Sequence, residues 1–485
     1  MAHMNAKITK TKIVCTLGPS SNTESKLKKM IDAGMDVARI NFSHGSYEEH
    51  EKTIRLIRKV SEDIALLCDL SGPKFRIGEV GKAFEINPGD KLILTADDVI
   101  GNNHRVSVNH KLLPQEVNVG NELWINDGLV MLQVTEIKDN TEIHTLCKVG
   151  GPISSRKGIN APQVPVSLFF PTEKDIEDAK FALEYDPDYF AASFVRKASD
   201  LTPLRELIEK NYKHTHIISK IEHREALKNI KEIIEVSDGL MVARGDLGLE
   251  IPTEDVPIVQ KDLIMQCNIF GKPVITATQM LESMTTSRRP TRAEASDVSN
   301  AVIDGTDAVM LSGETSIGKY PVETIEYMNR IANRAEELIT SDLEKKIQYS
   351  EESLSEVLGH AAKFTSNKLD LGAILAITRT GSTVRLVSKY RPKIPIIGAT
   401  SFPTTFRQLQ LVWGVQPLLI DIKTSTDQII LESVEKSLDK NYIKETDQIL
   451  IIAGTLLGIP AKTNLIHIMS VNDILSVSDI VKTDL

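Results

Sequence analysis

No run of apolar residues in this chain is long enough to span a bilayer, and no charged-then-apolar leader opens it. The expectation is a protein away from membranes, in the cytoplasm. Positive charge is also in short supply. The 57 Lys and Arg against 66 Asp and Glu leave a net charge of −9, which argues against general affinity for nucleic acid or anionic lipid. A local basic pocket for a phosphorylated substrate remains compatible with that balance. Cysteine is sparse: Cys15, Cys68, Cys147 and Cys267 show no metal-ligand spacing, and three of them sit in or beside apolar runs. Packed thiols in a reducing compartment are expected, not a disulfide frame or a zinc site. Low-complexity segments and short internal repeats are missing too. What is present is an ordinary globular composition, 41% hydrophobic and 25% charged, in 485 residues, a length that suggests about three domains.

Short apolar runs alternate with helix-like segments through the first 340 residues or so. Runs at 12–16, 37–41, 64–69, 189–193, 216–220, 239–243, 273–276 and 308–311 read as buried parallel strands, being β-branched and bounded by polar residues. Helical periodicity between them, for instance at 24–33 and 47–61, gives the alternation of a (β/α)8 TIM barrel. A doubly wound open sheet uses similar units, but eight in series favours closure. The stretch from Pro73 has a different texture, with strand-like runs at 91–95, 122–125, 129–134 and 143–148 and a strong turn signal in Asn126-Asp127-Gly128. It reads as an inserted all-β lid domain on two short tethers, able to swing. Beyond about residue 345, strand-like runs at 373–377, 394–400, 416–420 and 448–453 alternate with helical stretches, which predicts a C-terminal α/β domain with a mostly parallel sheet. The expected division is 5–72 with 166–344 for the barrel, 73–165 for the lid and 345–485 for the C-terminal regulatory domain.

Chemistry in such a barrel belongs to the C-terminal ends of the strands. Two adjacent runs end there on Ser219-Lys220-Ile221-Glu222 and on Ala243-Arg244-Gly245-Asp246. Two carboxylates a few ångströms apart repel unless a cation lies between them. A hard ion that takes few protein oxygens and leaves room for phosphate is Mg2+, with Mn2+ as its substitute. Lys220 beside it offers fixed positive charge where a phosphoryl group develops negative charge. Either half alone reads as an ordinary surface ion pair; together they favour the metal reading. Gly245 removes a side chain where substrate approaches, and the amides of a helix starting there suit a carboxylate or phosphate. Arg39 suits bidentate phosphate binding, within the turn Arg39-Ile40-Asn41-Phe42-Ser43-His44-Gly45. His44 is given no proton-transfer role. Thr16, Asp69, Ser193, Thr276, Thr278 and Ser312 complete a rim of polar strand ends.

At this point the chain resembles the pyruvate kinase family. The likeness runs from Thr11 to about residue 470. It is carried by Cys15-Thr16-Leu17-Gly18-Pro19-Ser20, the turn after Arg39, Gly72-Pro73-Lys74-Phe75-Arg76, Lys157-Gly158, the two strand ends above, Ala277-Thr278-Gln279-Met280-Leu281-Glu282-Ser283, Arg289-Pro290-Thr291-Arg292-Ala293-Glu294 and Met310-Leu311-Ser312-Gly313-Glu314-Thr315. The resemblance implies transfer of a phosphoryl group from phosphoenolpyruvate to ADP, giving pyruvate and ATP. Lys220 then stabilises the phosphoryl group and the enolate, Glu222 and Asp246 hold Mg2+, and the Gly245 and Asp246 amides with Thr278 bind the substrate carboxylate. Arg39 and Arg76 face phosphate; Asn41, His44, Arg76 and Lys157 belong to the nucleotide side. Asp127 is expected to face the cleft when the lid closes. A homotetramer is implied as well.

Two departures and one loop carry further expectations. Relatives bind K+ through positions matching Asn41, Ser43 and Asp69, plus a threonine where this chain has Leu70 and a glutamate where it has Lys74. The Lys74 ammonium is expected to replace K+ and make activity K+-independent; the bland alternative points Lys74 to solvent. Thr378-Arg379-Thr380-Gly381-Ser382-Thr383 follows a strand and opens a helix, a phosphate nest that relatives use for an allosteric effector. An N-capped helix with nothing bound is the alternative there. The loop at 454–463 lacks the longer Pro/Gly-rich pattern of relatives activated by fructose bisphosphate, so another phosphorylated metabolite or a nucleotide monophosphate is expected.

Two other functions compete. A Mg2+-dependent lyase or aldolase of pyruvate enolate needs the carboxylates but has no use for Lys157, Arg76 or a lid. A metabolite-sensing scaffold on a retired kinase fold would have lost Lys220 or a metal carboxylate, and neither is lost.

Overall fold

The computed structural model describes residues 9–126, 128–162, 164, 167, 169–339, 353–423, 425–454 and 463–476. Its eight parallel strands, Lys12–Thr16, Val37–Asn41, Ala65–Asp69, Tyr189–Ala192, His216–Ile221, Gly239–Ala243, Val274–Ala277 and Ala308–Leu311, close into a barrel in which chain neighbours are sheet neighbours. Strands covered on both faces need no polar alternation, so they read as unbroken apolar runs. Val14, Val37, Leu67, Tyr189, Ile218, Met241, Ile275 and Met310 fill the interior, with Leu411 from the C-terminal part joining them. A larger layer, including Ile13, Leu66, Phe190, Ile217 and Leu240, packs outward under the helices. All four cysteines are buried and unpaired.

Helix ends follow their sequence signals. Ser46 and Glu49 make a reciprocal capping box at the start of Tyr47–Val60, and Thr291 with Glu294 does the same for Arg292–Asp304. Gly271 ends Val256–Phe270 in the left-handed region, at φ 64°, where a side chain would be strained.

Between the third and fourth barrel strands lies a seven-stranded sheet with its own core of Leu92, Leu94, Leu123, Leu132 and Ile143. Sequence periodicity located four of its strands but not the short Phe75–Arg76, Arg105–Ser107 and Gly158–Asn160, nor the helical turn Leu113–Glu116. Strands of two or three residues carry too little pattern to detect. A separate two-stranded pair joins Phe84–Ile86 to Gly151–Ile153. In the C-terminal part, Ala373–Ile377, Ile396–Thr400, Val415–Leu419 and Gln448–Ala453 run parallel, and Leu465–Ser470 adds an antiparallel edge that the pattern did not reveal.

This C-terminal sheet docks on the N-terminal face of the barrel. Arg391 donates to Asp307 at 2.9 Å, Asn268 at 2.7 Å and the Gly305 carbonyl at 2.8 Å. Arg407 reaches Asp188 at 2.8 Å, and Lys12 reaches the Val415 carbonyl at 2.8 Å. The opposite rim is thereby left for the inserted sheet. Among the described residues no helix is long and apolar enough to cross a membrane.

Candidate active site

Register brings the rim residues level. Asn41 pairs with Asp69, Asp69 with Ala191, and Thr16 with Arg39, so three strand ends present their polar side chains together. Asp69 is the hub. Arg39 grips its Oδ2 through Nε and Nη2, each at 2.7 Å, while Arg39 Nη1 donates to Thr16 Oγ1 at 2.7 Å. The other Asp69 oxygen stands 3.1 Å from Lys220 Nζ, which also donates to Ser193 Oγ at 2.6 Å and pairs with Glu222 Oε1 at 3.0 Å. Burial alone would raise Asp69, but Arg39 and Lys220 hold it below the usual carboxylate range. Burial would likewise lower Lys220, yet Asp69 and Glu222 hold it well above its ordinary value. Lys220 is therefore a fixed cation and not a proton acceptor at neutral pH.

Glu222 is buried and accepts the Phe194 amide at 2.8 Å. Burial pushes its carboxyl up against the pull of Lys220, and the Asp246 and Asp69 charges push the same way. Asp246 is close enough to be felt there, yet its own Oδ1 is paired with Lys74 Nζ at 2.6 Å. The Lys74 side chain is 18% exposed and turns into the cleft, its stem lying against Gly158, where an added Cβ would come within 2.8 Å of Lys74 Cε. The ammonium expected beside Asn41, Ser43 and Asp69 thus sits on Asp246. Three carboxylates, Asp69, Glu222 and Asp246, face three cations, Arg39, Lys220 and Lys74, so the site is balanced in charge. Glu222 and Asp246 offer only oxygen, which fits a hard divalent ion whose other ligands come from substrate and water. Among the described residues no three His, Cys, Asp or Glu side chains cluster into a closed metal cage.

The loop after Val274–Ala277 completes the rim. Thr278 adopts φ 71° and Gln279 φ 53°, unusual for side-chain-bearing residues and found where surrounding contacts enforce them. Thr278 Oγ1 accepts the Gly245 amide at 2.8 Å and donates to the Ala277 carbonyl at 2.6 Å. Arg244 enforces the turn, donating to the Thr278 carbonyl at 2.6 Å and pairing with Asp297 at 2.7 Å. Sequence reasoning placed Arg244 on the rim without this clamp. It also gave Ser193 no contact to Lys220. Both depend on loops whose approach no local pattern encodes.

Among the residues expected to meet a nucleotide, Gly158 pairs in register with Arg76, which brings Lys157 next to it. His44 is lowered from its ordinary value by burial and then by Arg76, Arg39 and Lys74, so these four groups converge. Asn41 Oδ1 accepts the Ser43 amide at 3.1 Å, closing the turn between them. Asp127 lies outside the described residues.

The loop 378–383 is far from this rim, in the C-terminal part. Gly381, at φ 82°, precedes the helix Ser382–Lys389, whose start has no side-chain cap. Thr378 Oγ1 accepts the Gly381 amide at 2.9 Å, Thr383 bonds Thr463 at 3.0 Å, and Arg379, Thr380 and Ser382 are exposed. Of the late loop, residues 455–462 lie outside the described residues.

Comparisons with known proteins agree with this geometry. A family profile described as pyruvate kinase, barrel domain, matches residues 8–325, and one described as pyruvate kinase, alpha/beta domain, matches 356–469. The chain is 46% identical over 476 residues to a pyruvate kinase of Bacillus licheniformis, covering 96% of this chain and 81% of that one. Pyruvate kinases of Sporosarcina psychrophila and Geobacillus stearothermophilus are 47% and 44% identical, with the same 96% and 81% coverage.

Proposed function

The chain belongs to the pyruvate kinase family and is a phosphotransferase, and from that premise we propose that it transfers the phosphoryl group of phosphoenolpyruvate to ADP at Lys220, with Mg2+ and without K+. The observation that carries this reading is the Lys220 ammonium, held by Asp69, Glu222 and Ser193 at 3.1, 3.0 and 2.6 Å. Fixed in that position, it meets charge on the phosphoryl oxygens without reorganising at the moment of reaction. As the bond from phosphorus to the substrate's C2 oxygen breaks, the same cation faces the enolate oxygen, and a β-phosphate oxygen of ADP forms the new bond. Carbon 3 of the enolate then takes a proton to give pyruvate, and a water held by Thr278 would be its source.

Mg2+ on Glu222 and Asp246 would supply Lewis-acid charge to the phosphoryl oxygens. Arg39 and Arg76 then face phosphate, and Asn41, His44 and Lys157 meet the nucleotide. The Asp246 amide takes the substrate carboxylate, and the Gly245 amide joins it by exchanging its bond to Thr278 Oγ1 for one to the substrate. Lys74, one positive charge beside this cluster, takes the part of a monovalent cation. Leu70 supports that reading, because its side chain is fully buried in the apolar layer and offers no oxygen ligand.

The loop 378–383 is proposed to bind the phosphate of an allosteric effector; its uncapped helix start and exposed Thr380 and Ser382 favour this over a self-capped helix. A cytoplasmic homotetramer completes the reading. The lyase alternative gains nothing from the geometry, since Arg76 and Lys157 would have no ligand. Mn2+ binding measured by electron paramagnetic resonance tests the metal assignment. Glu222→Gln and Asp246→Asn should each weaken Mn2+ by about tenfold or more; unchanged binding in both would reject it.

A further inference from the structure

On the side of the barrel away from the catalytic rim, the C-terminal helix Ser382–Lys389 faces Gly271-Lys272-Pro273, the turn that leads into the seventh strand. A cavity of about 230 Å³ lies between them, with Asp238, Lys272, Glu356, Ser382, Arg385 and Lys389 in its wall. Its two carboxylates are already matched. Asp238 accepts from Arg205 and from the Ile217 amide, each at 2.8 Å, and Glu356 takes Lys389 at 3.0 Å on both oxygens. Lys272 and Arg385 are not matched. Lys272 donates to the Ser237 carbonyl at 2.6 Å and the Glu235 carbonyl at 3.5 Å, and Arg385 donates once, to the Thr380 carbonyl at 3.3 Å. Among the described residues neither is within ion-pair distance of a carboxylate. Burial lowers both from their ordinary range, and at Lys272 the Arg385 charge adds to the effect against the pull of Asp238.

Two desolvated cations sharing one wall are costly unless an anion enters. Arg385 keeps most of its five donors free, in the fork that fits phosphate oxygens, and the exposed Ser382 hydroxyl stands at the mouth. We infer that this interdomain cavity is a binding site for a compact tetrahedral dianion, orthophosphate or the phosphoryl group of a small monoester, held between Lys272 of the barrel and Arg385 of the C-terminal helix. The site adjoins the effector loop, sharing Ser382 with it and tying Arg385 to the Thr380 carbonyl, but its second cation, Lys272, belongs to the barrel and bonds none of 378–383. An occupant would tie barrel and C-terminal part together and stabilise the folded protein in proportion to its saturation.

The test is calorimetric titration of the full-length protein with inorganic phosphate, with glycerol 3-phosphate as a second arm. Lys272→Met and Arg385→Met should each weaken one phosphate site at least tenfold, Lys272→Arg should retain it, and Thr380→Ala should leave it unchanged. Equal binding of glycerol 3-phosphate would identify a monoester site, and binding of orthophosphate alone a free-phosphate site. Undiminished affinity in both Met variants, or in Lys272→Met alone should Arg385→Met fail to fold, would overturn the proposal. A loss reproduced by Thr380→Ala would overturn it too, by assigning the phosphate to the loop.

Discussion

Lys74 Nζ stands 2.6 Å from Asp246 Oδ1, so a residue from the entry of the inserted sheet holds the carboxylate in the first turn of the helix Arg244–Glu250 that follows the sixth barrel strand. The two are 172 positions apart in the chain. A lysine here brings a permanent charge to a cluster that already counts three carboxylates.

Replacing that charge should expose the need for another. Lys74→Glu is expected to make turnover dependent on added K+, with stimulation of about tenfold or more, since a shift of 1.4 kcal/mol suffices for a factor of ten. Initial rates in tetramethylammonium buffer with and without KCl measure it. Adding Leu70→Thr should strengthen the requirement, at some cost in stability because position 70 is fully buried.

Lys220→Met should lower kcat by about 10²- to 10³-fold or more, the scale of losing one preorganised electrostatic donor. Asp69 and Glu222 lose a shared partner, so the midpoint in urea should also fall, while far-UV circular dichroism stays that of the wild type. Retained turnover would remove Lys220 from its assigned role.

Asp188 is fully buried between Arg58 at 3.2 Å and Arg407 at 2.8 Å, and it also accepts the Leu66 amide at 2.8 Å. Asp188→Ala leaves two guanidinium groups without their anion at the junction of barrel and C-terminal part. Equilibrium denaturation should register a loss of about 3–5 kcal/mol.

Burial depresses His216 to about 4, against an ordinary 6.5. The unfolded chain therefore binds a proton that the folded one refuses between those values. The stability this group contributes is present above about pH 6.5 and is lost as pH falls toward about 4. Between pH 7 and pH 5 the loss should be about 1–2 kcal/mol, and His216→Asn should flatten that part of the pH–stability curve. Urea titrations of both proteins at the two pH values give the comparison.

The barrel was legible because each buried parallel strand is a short apolar run, and the runs at 12–16, 37–41, 239–243 and 308–311 match their strands end for end. Lys220, Glu222 and Asp246 were legible for a related reason: Lys220 lies near the end of its strand, Glu222 directly follows it, Asp246 sits in the first turn of the helix after the next strand, and strand order makes those ends neighbours. What remained hidden depends on approach between distant segments. Arg407 meets Asp188 across 219 positions, Arg244 reaches the Thr278 carbonyl across 34, and Lys74 turns to Asp246 and not to Asp69. The edge strand Leu465–Ser470 was missed because its sequence, Leu-Ile-His-Ile-Met-Ser, shows no strict alternation of apolar and polar residues.

The most direct test is the initial rate of pyruvate formation from phosphoenolpyruvate, ADP and Mg2+ in buffer free of K+, repeated with K+ added. The account predicts the full rate without K+ and no gain from adding it. A rate that rises from near zero only when K+ is supplied would contradict Lys74 as the internal cation.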